Sequence, residues 1–236
     1  MLNLYWVKEC NKIDISEPVI IDQRDGFIIF EKPAGLLTHP TSTKKTEDTL
    51  LDTLIRLHPT VLKWGEDLRQ GIVHRLDKAT SGLIICAYEK DFYNQIKEEF
   101  ASRSVHKRYF AFVENTISTD IGKIDAPIGV DPKNKARQKV IKNGRDSITE
   151  YQVIERRSNY NQLDVELVTG RKHQIRTHFA YIGNPILNDK LYGGSIVDSL
   201  PPYSIGLHCH TLKFKVNNNE YIYKSKMPSY LENLIN

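Results

Sequence analysis

A chain of 236 residues with 40% hydrophobic and 26% charged residues has a globular composition and enough length to bury about 70% of its unfolded surface, which excludes wholesale disorder. Its longest apolar runs, such as residues 83–87, are strand-sized, and the first residues lack a charged start, apolar run and small-residue cleavage site, so neither a membrane span nor secretion is expected. The net charge of +4, from 33 Lys and Arg against 29 Asp and Glu, is too mild to define a partner by itself.

The first expected element is a hairpin over residues 18–31: Val19-Ile20-Ile21, a turn through Asp25-Gly26, then Phe27-Ile28-Ile29-Phe30. Lys32-Pro33-Ala34-Gly35 breaks that strand. Leu50, Leu51, Leu54, Ile55 and Leu57 fall at helical spacing before Pro59, and Phe92, Ile96 and Phe100 do so between Asp91 and Ser102. Val105, Lys107, Tyr109, Ala111 and Val113 alternate with His106, Arg108, Phe110 and Phe112, which places Tyr109 on a defined face of a strand. Residues 148–155 and 163–168 are further strands. Ile175, Phe179 and Ile182 mark a helix ended by Gly183, residues 207–216 and 221–224 read as late strands, and Pro228 opens a short terminal helix. Many antiparallel-looking strands with few helices predict an α+β fold, a mixed and mainly antiparallel sheet with flanking helices and loops. With no repeat and no long linker, residues 18–236 are expected to form a single domain behind an extension over residues 1–17.

The distribution of charge is more informative than its sum. Lys133, Lys135, Arg137, Lys139, Lys142 and Arg145 occur without an acidic residue among them until the stretch ends, and Arg103, His106, Lys107 and Arg108 form a second cluster. Such clusters suit a phosphate backbone, which rewards neutralisation through counterion release; equally, lysines protect a solvated loop or strand edge. Cys10, Cys86 and Cys209 are odd in number and far apart, as reduced packing residues would be. His173, His178, His208 and His210 have no recognised zinc spacing and no cysteine pair, so no metal is expected. No Gly-rich nucleotide fingerprint occurs either, and no cofactor is expected.

The stretch His74-Arg75-Leu76-Asp77-Lys78-Ala79-Thr80-Ser81-Gly82-Leu83 sets one carboxylate among cations and small turn-forming residues. Alone, it reads as a surface ion pair. Three other segments accompany it: Glu31-Lys32-Pro33-Ala34-Gly35-Leu36, Lys107-Arg108-Tyr109-Phe110-Ala111, and Thr169-Gly170-Arg171-Lys172-His173-Gln174-Ile175-Arg176. Together and in this order they resemble the motifs of the RluA-type RNA pseudouridine synthases, from about residue 18 to residue 230.

That resemblance implies isomerisation of uridine to pseudouridine in RNA on a mixed central sheet, with ribosomal RNA slightly favoured over transfer RNA as the partner. It implies Asp77 as the catalytic carboxylate, Arg171 as the guanidinium that keeps it ionised, and Tyr109 as the aromatic face against the target base. It further implies Arg75 as the residue entering RNA beside the flipped-out nucleotide, and Leu212 as the apolar residue lining the uracil site, with Leu207 a close competitor. His74, Lys107 and His173 complete the expected substrate-binding set. Gly35 and Gly82 are expected at tight turns near the pocket. Relatives that carry a small RNA-binding module place it ahead of the catalytic pattern, which here begins within two dozen residues, so recognition is expected to rest on the domain's own loops. A cytoplasmic monomer is expected. A non-catalytic RNA-binding factor on the same fold is the main rival, whereas a glycoside hydrolase would need a second, paired carboxylate.

Overall fold

The alternating and continuous apolar runs of the sequence form strands because β-branched and aromatic side chains pack well on a pleated surface. In the computed structural model, which describes residues 15–44 and 47–235, the hairpin is β1 (Val19–Arg24) and β2 (Phe27–Lys32). β3 (Ser81–Ala87) is buried along its whole length, as expected for a strand with neighbours on both edges and both faces covered. There follow β4 (His106–Glu114), β5 (Ile121–Asp125), β6 (Ile128–Asp131), β7 (Asn134–Val140), β8 (Ile148–Arg156), β9 (Tyr160–Leu167), β10 (Leu207–Val216) and β11 (Asn219–Lys224).

The main sheet runs β1-β2-β3-β10-β4-β9-β8-β5, with β11 also paired to β10, making nine strands. All pairings in it are antiparallel except β3 with β10, which is the mixed and mainly antiparallel arrangement expected. β6 and β7 form a separate two-stranded sheet. Residues 133–145, read from sequence as a loop or strand edge, hold β7, an edge strand paired with β6 alone, and the turn that follows it.

Helix α1 (Leu50–Leu57) begins at a capping box: the Thr49 side chain accepts from the Asp52 amide while Asp52 accepts from the Thr49 amide at 2.8 Å. α2 (Lys90–Ala101) lays Phe92 on Phe27 with ring centroids 4.5 Å apart. α3 (Gln174–Tyr181) packs towards β7 and β8, and α4 (Ser229–Glu232) follows Pro228 as its N-cap. Among the described residues, no helix is long and apolar enough to cross a membrane.

The period of two along β4 divides the interior. Tyr109, Ala111 and Val113 join the larger apolar cluster, while Phe112 faces a smaller one with Leu187, Leu200, Leu231 and Leu234. A bulge between Cys209 and Thr211 shifts the alternation in β10, so Leu207 and Cys209 before it and Leu212, Phe214 and Val216 after it are all buried. Gly82 is not at a turn. It lies inside β3 at φ +117°, and a Cβ there would stand 2.3 Å from the Cys209 carbonyl oxygen. The absence of a side chain lets β3 approach β10 at the level where Cys209 pairs with Tyr109. Gly35, at φ +89°, is in a turn as expected. Most of the 1–17 extension, including Cys10, lies outside the described residues.

Candidate active site

Asp77 sits in the connection that leads into β3, and the segment after β2 holds that connection from beneath. Thr38 Oγ1 donates to the Leu76 carbonyl at 2.9 Å and accepts from the Leu76 amide at 3.3 Å, and the Gly35 amide donates to the Lys78 carbonyl at 2.7 Å. Lys32, fully buried, donates to the carbonyls of Pro33, Leu36 and Lys78 at 2.9, 2.8 and 3.4 Å. Burial pulls its ammonium down to about 7, against the attraction of Asp77. Three carbonyls match three N–H donors, so the Glu31–Leu36 motif acts here as a scaffold for the Asp77 loop.

The Thr169–Arg176 motif supplies the opposite wall. Gln174 Oε1 accepts from Thr169 Oγ1 and the Arg171 amide, and its Nε2 donates to the Ile148 carbonyl and Thr149 Oγ1, all within 2.8–3.0 Å. This ties the start of α3 to β8. Arg176, in the first turn of α3, donates from Nη1 to Asp77 Oδ2 at 2.9 Å and forks onto Asp189 at 2.6 and 2.9 Å. Its guanidinium also lies 5.0 Å from the centre of the Tyr192 ring.

Arg176, rather than Arg171, is thus the guanidinium paired with Asp77. α3 begins only at Gln174, leaving Arg171 in the turn before it, where its Nε donates to the Asp146 carbonyl at 3.2 Å. Arg171 still lines the same pocket. A signal for Arg176 was present in the sequence: it precedes Phe179 by three residues, on the edge of the helix face that Ile175 and Phe179 bury. Nothing periodic marked Asp189 or Tyr192, which belong to an irregular segment.

Burial alone would raise the Asp77 carboxyl, but His173, Arg176 and Arg75 together hold it below the ordinary carboxylate value. His173 is itself drawn down to about 4 by burial and is uncharged at neutral pH, so Arg176 is the cation that governs there. His173 Nε2 stands 3.7 Å from Asp77 Oδ1, beyond hydrogen-bond reach, while Nδ1 is 2.9 Å from the Tyr192 hydroxyl.

One pocket is lined by Asp77, Tyr109, Arg171, His173, Arg176 and Leu207, with Arg75 among the other contributors. Tyr109 is 5% exposed, and burial pushes its phenol well above the ordinary value, so it is a neutral ring and a proton donor at physiological pH. Arg75 is exposed, with Nη1 3.2 Å from His39 Nε2.

Three other expected substrate contacts lie elsewhere. Leu212 is fully buried in the core opposite Lys107, and Leu207 is the β10 leucine that lines the pocket. His74 accepts the Ile85 amide on Nε2 at 3.0 Å and stacks on Phe100 at 4.9 Å; burial holds it near 3, hence neutral. Lys107 Nζ lies 5.0 Å from the centre of the same Phe100 ring and donates to the Val105 carbonyl at 3.4 Å. Both pack against Phe100 of α2, and neither lines the pocket. His178 Nε2 donates to the Ala126 carbonyl at 2.9 Å, and His208 Nδ1 lies 2.9 Å from Ser81 Oγ. Cys86 and Cys209 are buried free thiols. Among the described residues, no three His, Cys, Asp or Glu side chains are grouped as a metal site would need.

The model of the RNA pseudouridylate synthase family matches residues 26–181, and the chain belongs to that family. Within it the kinship is with the RluA group, which includes the large-subunit synthases D. The chain is 39% identical over 176 residues to an uncharacterised RNA pseudouridine synthase of Aquifex aeolicus, covering 74% of this chain and 55% of the relative. It is 34% identical over 206 residues to the ribosomal large subunit pseudouridine synthase D of Xanthomonas campestris pv. campestris, covering 83% and 61%. The chain therefore spans little more than half the length of these relatives. The human RNA pseudouridylate synthase domain containing 1 structure shares the fold with a TM-score of 0.73 at 22% identity, covering 90% of this chain and 84% of that one.

Proposed function

We propose that the protein isomerises uridine to pseudouridine within structured RNA, with large-subunit ribosomal RNA its substrate ahead of transfer RNA. The observation that carries this is the ionised Asp77 carboxylate, held by Arg176 at 2.9 Å in a pocket shared with the Tyr109 ring. The reaction breaks the bond between the sugar and the ring nitrogen of uracil, turns the retained base, joins the sugar to ring carbon 5, and moves the proton from that carbon to the freed nitrogen. It needs no oxidant, external nucleophile or energy donor. It does need a charged carboxylate beside the sugar, as a nucleophile or as the base for elimination across it, and a surface that keeps the loosened ring.

Tyr109 and Leu207 supply that surface, base stacking on an aromatic being worth about 1–3 kcal/mol. A uridine in a helix hides its sugar, so the nucleotide must leave the stack, and exposed Arg75 at the rim is placed to occupy the gap. Phosphates are met by the β6–β7 hairpin and the turn after it, where Lys133, Lys135 and Lys139, then Lys142 and Arg145, are exposed, while Arg137 is engaged by buried Asp131 at 2.6 Å. The names of the large-subunit synthases among its relatives support ribosomal RNA. The proposed setting is the cytoplasm, and the proposed working unit a monomer.

Purified protein incubated with unmodified total RNA, without added cofactor, tests the reading through nucleoside mass spectrometry. New pseudouridine with no free uracil is expected, and mapping assigns it to ribosomal or transfer RNA. Tight RNA binding without conversion would instead identify a binding factor built on the same fold.

A further inference from the structure

The polarity of one hydrogen-bond chain can be read without seeing a proton. A backbone amide can only donate, and the Gln138 N–H in β7 donates to the Tyr192 hydroxyl oxygen at 2.7 Å. Tyr192 therefore has its own proton to give. Its partner in place is His173 Nδ1 at 2.9 Å; the Thr177 hydroxyl, buried on α3 beside the phenol, makes no hydrogen bond of ordinary geometry and acts on the phenol in the sense of a donor, against the burial that raises its pKa. An Nδ1 that accepts leaves the hydrogen of the neutral imidazole on Nε2, the nitrogen 3.7 Å from Asp77 Oδ1.

The alternative tautomer would turn a nitrogen lone pair towards the carboxylate and oppose its charge. The same carboxylate has its other oxygen held by Arg176, so Oδ1 and Oδ2 stand in different surroundings. The backbone of His173 is set as well: it is the N-cap of α3 in a left-handed conformation, φ 54° and ψ 23°, that few residues other than glycine adopt.

We infer that Tyr192, anchored by the basic β6–β7 hairpin through the Gln138 amide, is a positioning residue that locks His173 in the Nε2–H tautomer and so turns an N–H dipole, not a lone pair, towards Asp77 Oδ1 across 3.7 Å. The inference rests on Asp77 being the catalytic carboxylate for its consequence, and on the hydrogen-bond chain alone for the tautomer. Two features of the fold meet in this phenol: the hairpin that carries the exposed lysines and the pocket that carries the carboxylate.

The test joins a spectroscopic with a kinetic measurement on the full chain. Long-range 1H–15N spectra of histidine-labelled protein at pH 7, with the His173 signals identified by their loss in His173→Gln, report the tautomer directly. His173 is expected as Nε2–H in the wild type. In Tyr192→Phe, which keeps the ring over Arg176 but removes the hydroxyl, it is expected to shift towards Nδ1–H. In the same variant kcat for pseudouridine formation should fall roughly tenfold, as for one lost hydrogen bond near a charge, while KM for RNA stays within about twofold. Wild-type His173 found as Nδ1–H, an unchanged tautomer in Tyr192→Phe, or an unchanged kcat would each overturn the inference. Absence of pseudouridine formation by the wild type would count against the proposed function, and the tautomer measurement would still decide whether the chain is built as described.

Discussion

Asp77 meets a guanidinium that is divided between two carboxylates. Arg176 holds Asp77 by one contact and Asp189 by two, with Arg176 9% and Asp189 1% exposed at their side chains. Buried ion pairs add little net stability, but deleting one member strands the others, at about 3–5 kcal/mol. Arg176→Gln should therefore lose stability on that order in urea denaturation. It should also change the pH dependence of kcat/KM. The folded value of Asp77 lies below its ordinary 3.8, so the pairing contributes stability above that value and loses it as pH falls through the folded value. With Arg176 gone, burial dominates and the carboxyl rises, so the acid limb of the activity profile should move upward; an unmoved limb would separate Arg176 from the ionisation of Asp77. At this scale the sequence allowed the right motif and the wrong arginine. Which of Arg171 and Arg176 reaches Asp77 depends on where α3 starts, and that is decided by the bonds of Gln174 to β8, a contact between distant segments.

Lys32 and Gly82 carry their consequences to the level of elements. Lys32→Met would leave three carbonyls without their donor and loosen the support of the Asp77 loop, with an expected loss of about 1–3 kcal/mol per stranded group at most. Denaturant titration reads it, and unchanged stability would mean the ammonium is dispensable. Gly82→Ala would press a Cβ against the Cys209 backbone and strain φ, so loss of fold, or of soluble expression, is expected. The β6–β7 hairpin has a different task. Replacing Lys133, Lys135, Lys139 and Lys142 by Ala should weaken RNA binding across sequences and reduce the slope of log K against log salt by up to about 3, whereas an unchanged slope would place the RNA elsewhere. Strands with clean alternation, β4 above all, were legible in the sequence, as were α1 and α2. β5, β6 and β7 were not: β5 and β6 are five and four residues long, each interrupted by a glycine and with an apolar residue, Ile121 or Val130, exposed, while β7 carries several cations and almost no apolar alternation.

Over the whole molecule, the segments that resemble the family are those the fold draws together: the Lys32 scaffold, the Asp77 loop, β4 with Tyr109, and the start of α3. The bulge in β10 brings Leu207 and Leu212 onto one buried face, so it is position along the strand that separates them: Leu207 pairs with Ala111 and lines the pocket, whereas Leu212 pairs with Lys107 and is buried in the core. The central claim is that one carboxylate performs the isomerisation, and it is tested most directly by Asp77→Asn, assayed for pseudouridine on the RNA the wild type modifies. With folding and RNA affinity verified, the variant should bind that RNA and form no pseudouridine; conversion at the wild-type rate would contradict the account.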